Sequence, residues 1–170
     1  LWHGDILACY ALVSLVAFLF WRVRPLPLLI VGLLVFSVSP LLYWMGGNSL
    51  PYWPPEFREE MLVLWKPGAD VISAELAAFR SGWSAQMSER VPAMTEQLTM
   101  VFGMYMLWRT LGLMLVGMAL YKWGVFSAKR SNVFYAVTAV VGFAAGLPLI
   151  WTGIVRRFAA GWSIEYAFFQ

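Results

Sequence analysis

The sequence predicts an all-α fold: a polytopic transmembrane helix bundle of four spans, with an amphipathic extramembrane helical insertion between the second and the third. Three observations predict it. Of 170 residues, 61% are hydrophobic and 12% are charged, about half the charge of a soluble domain, so lipid is the expected solvent. Mean hydropathy is +0.71. Four apolar runs alternate with short clusters of Arg and Lys, and the net charge is a modest +3; that pattern orients helices in a bilayer and lacks the basic stripe that nucleic acid requires.

The first span is expected over about 6–21, an uncharged run bracketed by Trp2 and Trp21 at the levels where indole rings settle. It stops at Arg22-Val23-Arg24-Pro25, where two charges precede a proline that cannot extend the helix ladder. A return crossing follows over about 26–45, with Pro40 as a candidate kink and Tyr43 and Trp44 at its end. The third span, about 95–121, is begun by Pro92 and is long enough to cross ~30 Å of hydrocarbon. The fourth, about 133–154, carries Gly142 and Gly146 in a GxxxG arrangement with Gly153 near the same side, a face that another helix can approach closely. Pro148 breaks one backbone bond within it.

The insertion, 46–92, holds six acids and four bases and too little continuous hydrophobicity to span. A short surface helix is expected over Glu56 to Trp65, ended by Pro67-Gly68-Ala69. From Asp70 to Arg90, Ile72, Leu76, Phe79, Trp83 and Met87 recur at three- and four-residue steps, one stripe of an amphipathic helix on the membrane surface or over the bundle. The short basic connections Arg22/Arg24 and Lys122/Lys129/Arg130 are two crossings apart and are expected to be cytoplasmic, with the insertion outside; Arg156 and Arg157 run against that assignment. The chain opens on Leu1 with no signal-peptide start, and is expected to be a single membrane domain, 1–170, within a longer chain. The lone Cys9 cannot form an intrachain disulfide, and no Cys/His spacing suits zinc, so no metal and no permanently bound cofactor are expected.

Arg109 is the sharpest candidate residue. A mid-span arginine costs about 2.5 to 3.5 kcal/mol on insertion scales, so it is expected to face protein or a water-filled cavity. There a guanidinium grips a carboxylate or phosphate by two parallel hydrogen bonds, or else makes a structural ion pair. Glu96 lies thirteen residues earlier, roughly 20 Å along a straight helix, and cannot be its direct partner. Glu96 and Gln97 either line a polar entrance to a substrate site or favour the helix N-terminal dipole. Asp5 either orients His3, the sole histidine, as a general base, or caps the first helix with Gly4 supplying the turn. Met100, Met104, Met114 and Met118 read as packing, and Glu75 and Arg80 as a solvated face. The sequence holds no phosphate-binding Gly-rich loop, GxSxG elbow or HExxH.

Two stretches carry a resemblance. LWHGDILACYALVSL, residues 1 to 15, and LGLMLVGMALYKWGVF, residues 111 to 126, resemble the YeiB-like family of bacterial inner-membrane proteins, whose C-terminal half is a domain of unknown function. ELAAFRSGWSAQMSERVP, residues 75 to 92, resembles that family's extracytoplasmic insert, so the resemblance covers essentially the whole chain. It implies a multi-pass inner-membrane protein grouped with transmembrane acyltransferases such as the lysosomal heparan-glucosaminide acetyltransferase. It carries over Gly4 and Asp5 of the GDIL motif, His3 beside them, and Arg109 before the Met/Gly-rich run. The family has earlier spans and a further motif histidine upstream of GDIL, which this sequence does not contain.

Two functions of different class follow. In the first, a membrane acyltransferase uses His3 as base or acyl carrier, Asp5 to orient it, Arg109 to hold an anionic part of donor or acceptor, and acyl-coenzyme A as donor substrate. In the second, a transporter or anion-binding membrane protein uses Arg109 as a midplane anion site and performs no chemistry. Both expect a lipid bilayer, the remaining spans of the full-length chain and a small-molecule substrate as partners, and no nucleic acid.

Overall fold

The computed structural model describes residues 6–164, and within them every regular element is helical. Helix α1, Ile6–Phe18, ends in a turn that leads to Pro25, which opens α2, Pro25–Ser49, at a position where its missing amide hydrogen costs nothing. A 3-10 turn at Leu50–Tyr52 leads to α3, Pro55–Trp65, and then α4, Ala69–Arg80. Next come α5, Met87–Glu96, a π-helical segment, Gln97–Met106, and α6, Leu107–Lys122, which together run as one rod of 36 residues. The last helix, α7, Asn132–Ala159, starts where the Ser131 side chain accepts a hydrogen bond from the Phe134 amide.

Among the described residues, three helical stretches are long and apolar enough to cross a membrane: Pro25–Tyr52, Met87–Lys122 and Asn132–Ala159. This corrects the expected count of four. The described part of α1 has 13 residues, about 20 Å of helix, short of the ~30 Å hydrocarbon layer. Lipid is nonetheless the solvent the surface demands. No residue of α7 is buried, and Val137, Val140, Phe143, Leu147 and Ile150 are all more than half exposed. A helix apolar all round and unburied is stable in hydrocarbon and not in water.

The packed centre lies where α1, α2 and α6 meet. Val13 and Ala17 of α1, Leu28 of α2, and Leu111, Leu115 and Ala119 of α6 form one buried cluster. Between α2 and α6 the backbones themselves touch. A Cβ on Gly112 would stand 2.6 Å from the Phe36 amide nitrogen, and one on Gly32 would stand 2.9 Å from that of Val116. Lipid supplies no hydrophobic drive between helices, so such close approach, with its dense dispersion contacts, is what joins them. The close-packing glycines are therefore one from each of two helices. The expected GxxxG face on α7 does not act this way among the described residues, since a Cβ at Gly142, Gly146 or Gly153 meets nothing within 4 Å.

The connections meet at two ends. At one, the Lys122 ammonium donates to the carbonyls of Trp21 and Val23, at 2.5 and 2.6 Å, joining the two basic connections. At the other, the Trp65 indole donates to the Trp162 carbonyl, at 3.0 Å, joining the insertion to the chain beyond α7. The single amphipathic helix expected from Asp70 to Arg90 is two helices. The chain breaks at Ser81-Gly82, and the Gln86 amide spans the break by donating to the Phe79 carbonyl at 2.9 Å. Pro92 lies inside α5 and does not begin the third span.

Gly112→Ala is expected to force α2 and α6 apart, costing about 1 to 3 kcal/mol and lowering the Tm of the protein in detergent, while Gly146→Ala leaves Tm unchanged. Equal Tm values for the two variants would refute the backbone contact.

Candidate functional site

Arg109 projects from α6 beside the seam and not into it. The next residues, Thr110, Leu111 and Gly112, are buried against the neighbouring helices, and Leu115 is fully buried, so those positions occupy the contact face. Arg109 falls on the adjoining face with Tyr105 and Leu113, four residues to either side. Its guanidinium donates to the Tyr105 hydroxyl and lies 5.2 Å from that ring's centroid, so one tyrosine offers both an acceptor and a π face. Tyr105 is itself fixed by Tyr43 of α2, edge-on at a centroid distance of 5.6 Å.

Across from this face stands Tyr10 of α1. Tyr10, Tyr105, Arg109 and Thr110 form the polar part of an open groove of about 450 Å³, and Met106, Leu113 and Met114 form its apolar part. A cation, two phenols and a hydroxyl beside thioether and aliphatic carbon suit an amphiphile with an anionic end. Enclosure of the guanidinium by neighbouring helices, expected from its cost in oil, is not what the described residues provide. Arg109 is exposed, resting along the groove wall with its charge on Tyr105. The physical reason is packing: α1 and α2 lie against the side of α6 that carries Leu111, Leu115 and Ala119, and Arg109 falls outside that contact. Arg109 is thirteen residues from Lys122, about 20 Å, which leaves about 10 Å to the opposite boundary of a ~30 Å layer.

The π segment sets what else reaches the groove. In an α-helix nine residues make two and a half turns, placing Gln97 and Met106 on opposite faces. The wider i→i+5 turn, about four and a half residues, brings them into line. The Gln97 amide accordingly donates to the Met106 sulfur at 3.2 Å, and Met106 lines the groove. Where π returns to α, the Trp108 indole donates to the Gly103 carbonyl at 2.7 Å, satisfying a group that the change of register disturbs.

Of the residues expected to form a site, Arg109 lies in the groove and Gln97 touches its edge through Met106. Glu96 is exposed at the end of α5 and does not line the groove. His3 and Asp5 lie outside the described residues. The methionines divide: Met114 lines the groove, Met118 packs on the core, and Met100 and Met104 are exposed at 64% and 50%. Tyr10, Tyr105 and Thr110 were not anticipated. Tyr105 is legible in the sequence as the residue one turn before a mid-span arginine, whereas Tyr10 enters only through the α1–α6 contact.

Fold and groove together define an all-helical membrane protein with a cationic, tyrosine-lined recess between two helices. Over 169 residues the chain is 27% identical to the uncharacterized protein YeiB of Escherichia coli (strain K12), an alignment that covers 99% of this chain and 42% of that protein. The chain thus spans less than half the length of the relative. The similarity runs through the whole chain and supports a YeiB-like relationship. No protein-family description matches the chain, no solved structure matches it, and nothing in the comparisons links it to transmembrane acyltransferases.

Arg109→Leu separates a binding charge from a structural one. Because a guanidinium at this depth costs about 2.5 to 3.5 kcal/mol, the variant is expected to fold with Tm unchanged or raised. A marked drop in Tm would identify Arg109 as half of a structural ion pair.

Proposed function

We propose that the chain is part of a multi-pass protein of a bacterial cytoplasmic membrane whose α1–α6 groove binds the anionic group of a small amphiphilic substrate. The observation that supports this is the Arg109 guanidinium held on Tyr105 in a groove that is otherwise largely apolar. In low dielectric, a charged donor and a phosphate or carboxylate attract far more strongly than in water, and bidentate contact adds geometric selection. Tyr10 supplies a further hydroxyl from across the groove and Thr110 one beside Arg109, and Met106, Leu113 and Met114 take the substrate's apolar part. The two basic connections face the cytoplasm in this reading, so the insertion and the nearer mouth of the groove face outward.

The experiment is a titration of the intact protein in lipid nanodiscs with octyl phosphate, using octyl glucoside as the uncharged control. Wild type is expected to bind the phosphate preferentially, Arg109→Gln to bind it about tenfold more weakly, a loss of about 1.4 kcal/mol, and Arg109→Lys to fall between them. Indifference of the titration to Arg109→Gln would defeat the proposal.

A second reading adds chemistry, and one fact favours it: Asp5 of the His3-Gly4-Asp5 motif stands five residues before Tyr10 in the sequence, and Tyr10 lines the groove. In this reading the His3 imidazole, oriented by Asp5, takes the proton of an acceptor hydroxyl or amine as that group attacks the thioester carbonyl of acyl-coenzyme A. The C–S bond breaks and coenzyme A leaves as its thiol with the proton. His3→Ala is then expected to abolish transfer from radiolabelled acetyl-coenzyme A while octyl phosphate binding persists. Undiminished transfer by that variant excludes the mechanism without touching the binding proposal.

A further inference from the structure

The far end of α7 carries a second amphiphilic recess, unconnected with Arg109. Leu149 and Ile150, then Gly153 and Ile154, then Arg157 and Phe158 follow one another at helical spacing along one side. They line an open groove of about 400 Å³ that Trp162 closes at its end. Gly153 makes a notch between Ile150 and Ile154, since its missing side chain leaves open space. From Leu149 to Arg157 the stripe is about 12 Å long, apolar for most of that length and cationic at one end.

That end is a constructed feature. Gly161 and Trp162 both adopt left-handed backbone, with φ of +58° and +59°. Glycine accepts this without cost; an aromatic residue does so against its own preference, and such outliers cluster at functional positions. The bend is held by the Gly161 and Trp162 amides donating to the Phe158 and Arg157 carbonyls, each at 3.1 Å, and by the Trp65 indole donating to the Trp162 carbonyl at 3.0 Å. Its result is to fold the Trp162 ring back onto α7. There it stacks edge-on with Phe158, centroids 5.3 Å apart, and lies 5.5 Å from the half-buried Arg157 guanidinium. Among the described residues no carboxylate meets that guanidinium.

The simpler role for Arg157 is to offset the negative end of the α7 dipole. However, Arg156 serves that role from the same turn, and the returning amides already satisfy the last carbonyls. A second, half-buried cation capped by a strained indole exceeds what a helix end requires. We infer that this recess is a binding site for an anionic phospholipid, with its phosphate on Arg157, its glycerol region against Trp162, and one acyl chain along Ile154, Gly153 and Ile150. The charge selects an anionic headgroup, and the apolar stripe requires a lipid over a soluble phosphate ester. Trp162 belongs at the interface, where one edge of the indole is wet and the other apolar.

Native mass spectrometry of the intact protein, exchanged into detergent with equimolar phosphatidylglycerol and phosphatidylcholine, tests the inference. Wild type is expected to retain phosphatidylglycerol at least fivefold over phosphatidylcholine. Arg157→Gln is expected to lose most of that preference, in an Arg109→Gln background as well, while Arg157→Lys keeps it, and Trp162→Ala shortens retention of both lipids. Equal retention of the two lipids by wild type, an unchanged preference in Arg157→Gln, or displacement of the lipid by millimolar glycerol phosphate would each overturn the site.

Discussion

Backbone against backbone at Gly32 and Gly112 is the contact on which the packed centre of α1, α2 and α6 depends. A bilayer gives helices no reason to shed apolar surface, so α2 and α6 adhere only where their main chains approach closely enough for dense dispersion contact. The Phe36 backbone over Gly112 and the Val116 backbone over Gly32 leave no room for a methyl group on either side. Val13 and Ala17 then lay α1 along the same seam, against Leu111, Leu115 and Ala119. With that seam fixed, the faces of α6 are assigned: Thr110 to Gly112 turn inward, and Arg109 is left on the rim opposite Tyr10.

The position of Arg109 links packing to function. A guanidinium sealed in the bundle would demand a carboxylate partner, and one bare in mid-bilayer would demand a water defect. Lying along a groove wall, on the hydroxyl and ring of Tyr105, it meets its first needs locally and keeps donors available for a ligand. The π segment contributes by widening the helix just before the site, which draws Gln97 under Met106. The same segment moves Glu96 no closer. The acids and bases of this chain thus sort by surroundings, most onto the insertion and the two ends, with Arg109 in the apolar zone.

The helices were legible in the sequence because their cause is local: long uncharged runs, prolines at Pro25 and Pro55 that open helices, and the Pro67-Gly68 break. Boundaries were less so, since Arg24, Lys122 and the indoles mark interfaces while helices run on past them; α2 continues to Ser49 and α7 to Ala159. The stripe from Ile72 to Met87 fits one helix by periodicity, but Ser81 and Gly82 end α4, and Arg90 turns back over Phe79 and Trp83. Nothing in QLTMVFGMYM announces π geometry. The glycine motif misled for a related reason. GxxxG is conspicuous within one helix, whereas the contact that forms takes a single glycine from each of two, and only the tertiary arrangement pairs them. Arg109 itself stood out as a charge where charge is expensive; its companion Tyr10, more than ninety positions away, required the α1–α6 packing.

The most direct test of this account is a high-resolution density map of the intact protein in a lipid nanodisc containing an anionic amphiphile. Non-protein density is expected between α1 and α6, with an anionic group within hydrogen-bond range of the Arg109 guanidinium and the Tyr10 hydroxyl facing it. A guanidinium paired instead with a carboxylate from another helix, in a groove filled by protein side chains, would contradict it.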